Sequence, residues 1–202
     1  MSERRICVLV VAAGVVSAAS AQSASISVVH NDPDGIVAPG EVVRITATLD
    51  WTNFLLLSKI EGDLLASPNL GSASNNAFAH QGAYLNPPVS IDPGSPDGGS
   101  IVDVVIDSGN VGWLFGPPIP APWGSNQIHF LEYDWTAPTT LGVVEFNWTG
   151  AAASPDPVFF TAAGYVTLPT TYTGASLTVI PAPASAALLA PLAIATVRRR
   201  ER

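Results

Sequence analysis

The chain has 202 residues, of which 48% are hydrophobic and 12% are charged, and its formal net charge is −8. Without Glu3, Glu201 and the six arginines near the two termini, the part between them keeps 14 acidic residues and two basic ones, Arg44 and Lys59. Affinity for nucleic acid comes largely from Lys and Arg that neutralise phosphates. The composition therefore argues against nucleic acid as a partner, and the single cysteine argues against a disulfide framework.

The first 21 residues have the three parts of a secretory signal peptide. Two arginines precede an apolar run from Ile6 to Val16, and Ala19 and Ala21 are the small residues that precede a signal peptidase cut. Gln22 is then the mature N-terminus. The sequence predicts export by the general secretion machinery, with signal peptidase as a partner, and the only cysteine leaves with the signal.

Residues 22–180 are predicted to form one domain built from short strands. The clearest strand is 41–51, because apolar residues alternate there with polar ones, as they do in a half-buried antiparallel strand. Further strands are predicted at residues 24–30, 54–60, 101–107, 128–135, 143–148, 158–160, 164–168 and 175–180. The residues predicted in the interior are Val43, Ile45, Leu49, Tyr133, Trp135, Phe146 and Trp148.

Two long connections interrupt this pattern. Residues 61–63 are expected to end the second strand, and residues 66–99 are expected to form a loop with a short helix at 72–79. A second loop, 109–126, contains four prolines and cannot pair as a central strand. The strand at 101–107 is expected to turn Val102, Val104 and Ile106 inward. Together these features predict an all-β fold, a single antiparallel sandwich that is either immunoglobulin-like or a jelly roll.

The sequence offers no catalytic constellation. His30, His80 and His129 are far apart and do not have metal-ligand spacing, and no Gly-x-Ser-x-Gly elbow is present. Glu132 and Asp134 lie two residues apart on one strand, whereas the two carboxyl groups of a glycosidase flank the sugar from different elements. We therefore predict that the protein is not an enzyme.

The segment Asn31-Asp32-Pro33-Asp34-Gly35 has two interpretations. Asp32 and Asp34 could ligate calcium, since clustered oxygen ligands are what this ion prefers. The same residues are also typical of a turn in which Asp side chains accept local backbone hydrogen bonds. We favour the turn, so that no cofactor is predicted and calcium is the alternative.

The last residues form a tail of three parts. Pro181, Ala182 and Pro183 are held extended by the two proline rings. An apolar run of fourteen residues from Ala184 to Val197 follows. As a helix it would reach about 21 Å, which is shorter than the roughly 30 Å core of a bilayer. Four basic residues then end the tail: Arg198, Arg199, Arg200 and Arg202.

This order of parts resembles the PEP-CTERM sorting signal of proteins secreted by Gram-negative bacteria. Ala182 stands where the commonest family pattern has Glu. The resemblance covers residues 181–202 only. It implies that an exosortase, a membrane protease, cuts near the Pro motif and transfers the body to the envelope, cell surface or extracellular matrix. A simple C-terminal membrane anchor is the alternative.

Two functions remain for residues 22–180. The first is a structural or adhesive surface protein, which the sequence favours. The alternative is a binding module, carbohydrate-recognising or cohesin-like. In that case the rings of Trp113, Phe115 and Trp123 could form a platform in the proline-rich loop, with extracellular polysaccharide as the partner.

Overall fold

The computed structural model describes residues 22–52, 56–78, 90–107, 127–161 and 164–181. All regular secondary structure in these ranges is β-strand, which confirms the predicted fold class. None of the described residues belongs to a helix long and apolar enough to cross a membrane. The predicted signal peptide and, apart from Pro181, the predicted sorting segment lie outside the described residues.

The described chain contains fourteen strands. In chain order they are β1 (Ala24–His30), β2 (Ile36–Val37), β3 (Val42–Trp51), β4 (Leu56–Ser67), β5 (Ser72–Ala77), β6 (Ser90–Asp92), β7 (Ser95–Asp97), β8 (Ser100–Asp107), β9 (Gln127–Thr136), β10 (Gly142–Gly150), β11 (Val158–Thr161), β12 (Gly164–Thr167), β13 (Thr170–Thr173) and β14 (Ala175–Val179).

These strands form two sheets that pack face to face. The smaller sheet has the order β13-β1-β3-β9-β5. The larger one has the order β12-β11-β4-β10-β14-β2, with β8 on the other edge of β4 and the short strands β6 and β7 paired to β8. Pairing is antiparallel except between β1 and β13 and between β14 and β2.

The core lies between the two sheets and is rich in aromatic rings. Trp135 packs edge-on against Phe146, with ring centroids 5.2 Å apart, and Phe130 does the same against Trp148 at 4.9 Å. Each of these pairs joins β9 of the smaller sheet to β10 of the larger one. The seven residues predicted in the interior are all buried, which confirms the predicted faces of β3, β9 and β10.

The predicted break at residues 61–63 is wrong, because β4 continues through it to Ser67. Gly62 pairs with Gly150 of β10 and with Val104 of β8, so it lies in the middle of the sheet. A Cβ at Gly62 would be 2.8 Å from the Trp148 ring and would overlap backbone atoms of β10. The glycine is therefore present for a close approach of strands and not for a turn.

The predicted loop at 66–99 and its helix at 72–79 are also wrong. Residues 72–77 form β5, one of the two edge strands of the smaller sheet, and β6 and β7 pair with β8. The sequence of β5 shows no alternation of apolar and polar residues, because its residues are small and polar and its side chains are exposed or half-buried. Its place is set by backbone pairing with β9, which no local pattern reveals.

The inward face predicted for residues 101–107 is correct only in part. Ile101, Val104 and Ile106 are buried, whereas Val102 is half-buried. The register between β4 and β8 shifts between Gly62 and Leu64, and Asp103 has a φ of 60° at the corresponding point. This bulge moves the strand by one residue, and a shift of one residue exchanges the two faces.

The chain enters and leaves the sandwich at opposite ends. At one end, Gly142 pairs with Val179 at the end of β14, and Val42 pairs with Thr136. We call this the exit end, because the chain leaves the described body there. At the other end, which we call the far end, Ala24 of β1 pairs with both Trp51 and Thr170.

Candidate binding surfaces

The far end of the sandwich carries the flanks of the longest connections. β8 finishes there at Asp107, which pairs with Ser90 of β6, and β9 begins there at Gln127, which pairs with Asp50. The segment between β8 and β9 therefore starts and finishes at the far end. Trp113, Phe115 and Trp123, the predicted aromatic platform, belong to this segment and lie outside the described residues.

A cleft of about 300 Å³ also opens at the far end. Its walls come from the beginning of β1, the end of β3 and the beginning of β13, and they include Ser25, Asp50 and Thr171. Asp50 accepts a hydrogen bond of 2.6 Å from the amide of Gln127. The cleft is at the lower limit of ligand-pocket volumes, and its lining combines short polar side chains with the apolar surface of Ala24 and Trp51.

An ionic cluster lies on the outer face of the smaller sheet. The Arg44 guanidinium contacts Asp134 at 2.6 Å and Glu132 at 3.2 Å, and the Asn75 amide donates to Asp134 at 2.9 Å. These hydrogen bonds from Asn75 and Arg44 lower the pKa of Asp134, against a smaller effect of desolvation. Glu132 and Asp134 are thus held by a cation on their own sheet.

We expect Asp134→Asn to lower the free energy of unfolding by at most about 1 kcal/mol at neutral pH, because the pair is partly exposed to solvent. The folded-state pKa of Asp134 lies below the ordinary value of 3.8, so its contribution exists above that value and is lost as the pH falls below it. Chemical denaturation of both proteins at neutral and at strongly acidic pH measures this difference. A difference in the free energy of unfolding between the two proteins that persists unchanged in acid would contradict the role assigned to the Asp134 carboxylate.

The second basic residue of the body is also engaged. The Lys59 ammonium contacts Glu61 at 2.7 Å and Asp107 at 3.9 Å on the outer face of the larger sheet. Both basic residues of residues 22–180 therefore face carboxylates of their own sheet. The remaining acidic residues give the body a negative surface, which favours basic groups or cations over anions as contacts.

The turn at residues 31–35 uses its aspartates locally. Oδ1 of Asp32 accepts backbone N–H groups of Asp34, Gly35 and Ile36 at 3.2, 2.6 and 3.2 Å. Desolvation raises the pKa of Asp32, but these hydrogen bonds outweigh it and lower the pKa overall. Oδ1 of Asp34 accepts from Ile36 at 3.0 Å. This geometry is that of an aspartate-stabilised turn.

The effect of calcium on the melting temperature therefore tests the interpretation of this turn. Within the described ranges no group of three or more acidic or histidine side chains is arranged to hold a metal ion. We expect millimolar calcium to leave the melting temperature unchanged relative to magnesium, both in the natural protein and in an Asp32→Asn, Asp34→Asn double variant. A rise specific to calcium that disappears in the double variant would establish the site, since a ligand stabilises the state that binds it.

The two described histidines make separate contacts. Nδ1 of His30 is 3.0 Å from the carbonyl oxygen of Asp32 in the turn, and Nδ1 of His129 is 2.7 Å from the hydroxyl of Thr48 on the smaller sheet. His80 lies outside the described residues. The structure does not bring His30 and His129 together.

Of the predicted processing sites, only the residues closest to the body are described. Gln22 precedes β1 and is exposed, and Pro181 follows β14 and is exposed. The N–H of Ile180 donates to Val37, so the last strand is paired up to the residue before Pro181. Ala19, Ala21, Ala182, Pro183 and the arginines Arg198, Arg199 and Arg200 lie outside the described residues.

Exposed aliphatic side chains surround the exit end, and none of them is among the site residues predicted from the sequence. Val143 pairs with Thr178, and Thr178 pairs with Ile36, so these residues form one row across the outer face of the larger sheet. We call the following residues the exit rim: Ile36, Val42, Leu141, Val143 and Ile180, whose exposed fractions are 46, 59, 52, 52 and 39%. The inward side chains of Val144 and Phe146 already place Val143 outward.

No protein-family profile matches the chain, and no curated protein matches it in sequence. Solved structures do match its fold. The seventh ScaB type I cohesin of Pseudobacteroides cellulosolvens superposes with a TM-score of 0.54 at 12% identity, over 81% of this chain and 94% of the cohesin. This likeness shows that the described body has a cohesin-like β-sandwich.

Two further similar structures belong to the same class. A type II cohesin domain from the cellulosome of Acetivibrio cellulolyticus has a TM-score of 0.49 at 11% identity, over 77% of this chain and 95% of the cohesin. A type I cohesin–dockerin complex from Clostridium thermocellum has a TM-score of 0.46 at 8% identity, over 79% of this chain and 95% of its own. The fold assignment rests on the Pseudobacteroides cohesin.

Proposed function

We propose that the protein is an exported, non-enzymatic binding module that presents the far end of its sandwich to a partner outside the cell. The cohesin-like fold supports a binding module over the structural or adhesive role that the sequence favours. Because one fold can serve many functions, the proposal rests on the placement of the two ends.

The main support for this proposal is the end of the sandwich at which the chain leaves the body. The tail leaves at the exit end, whereas the flanks of the segment between β8 and β9 lie at the far end. Strands of ten residues, such as β3 and β9, separate the ends by about 33 Å at a rise of 3.3 Å per residue. A body held through its C-terminal side therefore keeps the far end accessible to a partner.

The tail supplies the means of delivery in this proposal. The resemblance of residues 181–202 to a PEP-CTERM signal predicts that an exosortase cuts near Pro181. The exposure of Pro181 immediately after the last paired residue supports this, because a protease needs an extended and accessible segment. The arginines behind the apolar run would hold the tail on the cytoplasmic side during processing.

A binding assay with the host's own extracellular material tests the proposed activity. The purified body is immobilised and exposed to that material in three forms: untreated, protease-treated and glycosidase-treated. Saturable binding that protease removes identifies a protein partner, as for a cohesin-like module. Binding that only glycosidase removes identifies a polysaccharide and favours the platform of Trp113, Phe115 and Trp123. The absence of saturable binding from all three forms would contradict the proposal.

A further inference from the structure

The distribution of exposed apolar side chains over the described body is uneven. The larger ones that are more than a third exposed comprise six aliphatic residues and two tyrosines. Five of the aliphatic residues form the exit rim, and Val29, the sixth, precedes the last residue of β1. The tyrosines, Tyr165 and Tyr172, lie on β12 and β13. Exposed apolar area is concentrated where the chain leaves the body, and such area marks contact sites.

The residues that follow Pro181 in the sequence indicate what lies next to this rim. Ile180 belongs to the rim, and the apolar run starts at Ala184, three residues beyond Pro181. Three extended residues reach about 10 Å. When the run enters a bilayer, the exit end must therefore lie within roughly that distance of the lipid surface.

We propose that the exit rim is a lipid-contacting surface, through which the body rests on the outer leaflet of the inner membrane before the tail is cut. The inference rests on the proposed sorting function, because the tail brings the rim to the membrane. The rim has members on both sheets, Val42 on the smaller and Val143 on the larger. Contact on both sides fixes the body upright and keeps the segment around Pro181 at the membrane surface.

The charges at the exit end predict which lipid headgroups the rim prefers. Asp34 and Glu41 lie just before β2 and β3, Glu145 lies on β10, and Arg44 on β3 is bound to Glu132 and Asp134. Attraction of basic residues to anionic headgroups therefore contributes nothing here, and the acidic residues are repelled by them. The contact is aliphatic, so it should be stronger on zwitterionic than on anionic lipid at low salt, and the difference should shrink as salt screens the charges.

Depth-dependent fluorescence quenching tests this contact on the precursor Gln22–Arg202, whose sequence contains no cysteine. A polarity-sensitive dye is attached to Thr140→Cys beside the rim, to Thr171→Cys at the far end, or to Ala187→Cys in the tail. Thr140 and Thr171 are both exposed, which makes them matched positions. The protein is inserted into phosphatidylcholine vesicles that carry a spin-labelled headgroup.

We expect the dye at position 187 to be quenched, and the dye at position 140 to be quenched several-fold more than the dye at 171. Adding Leu141→Ser and Val143→Ser should clearly reduce quenching at 140 while leaving 187 unchanged, although 140 stays more quenched than 171 because the inserted tail still holds the exit end near the lipid. Replacing part of the phosphatidylcholine with phosphatidylglycerol should also reduce quenching at 140.

Three results overturn the proposal. If the dye at 187 is quenched but the dye at 140 is quenched no more than the dye at 171, the tail inserts and the rim does not touch lipid. If the two serine substitutions leave quenching at 140 unchanged, nearness to the tail explains it and the rim has no part. If 187 itself is not quenched, the tail does not enter the bilayer, and the sorting function fails together with this inference.

Discussion

Replacement of Trp135 by Ala should lower the free energy of unfolding by about 3–5 kcal/mol, the cost of removing a large ring from a packed interior. Trp135 is fully buried, its ring packs against Phe146 at 5.2 Å, and its indole N–H donates to the carbonyl of Leu70 at 3.0 Å. The ring therefore joins β9 to the opposite sheet and to the connection before β5. Urea denaturation of the natural and variant proteins measures the loss.

Trp135→Phe is the control for this prediction. It keeps a ring against Phe146 but removes the hydrogen bond to Leu70, so we expect an intermediate loss of stability. A loss below about 1 kcal/mol in Trp135→Ala would be that of a surface position and would contradict the assigned core.

Replacement of Gly62 by Ala should cost about 3 kcal/mol, at the upper end of the usual range for overpacking. A methyl group there would approach the Trp148 ring to 2.8 Å and overlap the backbone of β10 at Thr149 and Gly150. Backbone on a paired strand cannot move aside as a flexible side chain does. The strain therefore falls on the pairing of β4 with β10, which joins the two longest strands of the larger sheet.

Gly142→Ala separates this clash from backbone strain. Gly142 has a φ of 137°, but a Cβ there meets nothing within 4 Å. We expect a loss of about 1 kcal/mol for Gly142→Ala, which has only the unfavourable φ to accommodate. Thermal or urea unfolding of both variants gives the comparison, and equal losses would show that the close approach at Gly62 has no energetic effect.

Strong alternation made the central strands predictable. Along β3, Val43, Ile45 and Leu49 point inward because a strand with one buried face has a period of two. The same reasoning holds for β10, where Phe146 and Trp148 are buried. These strands carry the aromatic core, so the class of fold followed from the sequence.

The features that the sequence did not predict depend on distant partners. β5 consists of small polar residues and exists because β9 offers it an edge. The β3–β9 pairing shifts between Ala47 and Thr48, so that Phe130 and Leu131 are neighbours in sequence and both are buried. A shift of register is a property of two strands, and the pattern of either strand alone does not contain it.

The candidate surfaces were predictable to a smaller degree. The turn at Asp32 follows from local turn chemistry, and its hydrogen bonds agree with the interpretation that the sequence favours. The exit rim could not be found in this way, because Ile36, Val143 and Ile180 come from three separate segments that only the pairing of β2, β14 and β10 brings together. The predicted platform at Trp113, Phe115 and Trp123 stays a prediction.

Identification of the mature termini in the native host tests the central claim most directly. The protein is recovered from the envelope and the extracellular fraction, and its terminal peptides are determined by mass spectrometry, with and without the candidate exosortase. Two variants accompany it, one with Arg198, Arg199 and Arg200 changed to Ser and one with Pro181 and Pro183 changed to Ala.

We predict a mature chain that begins at Gln22 and ends near Pro181 to Pro183 in the presence of the exosortase. Without the enzyme the tail should remain attached, and each variant should change the C-terminus or the retention of the protein on cells. A native protein that keeps Arg202 and stays in the membrane, whether or not the exosortase is present, would contradict this account and identify the tail as a simple anchor.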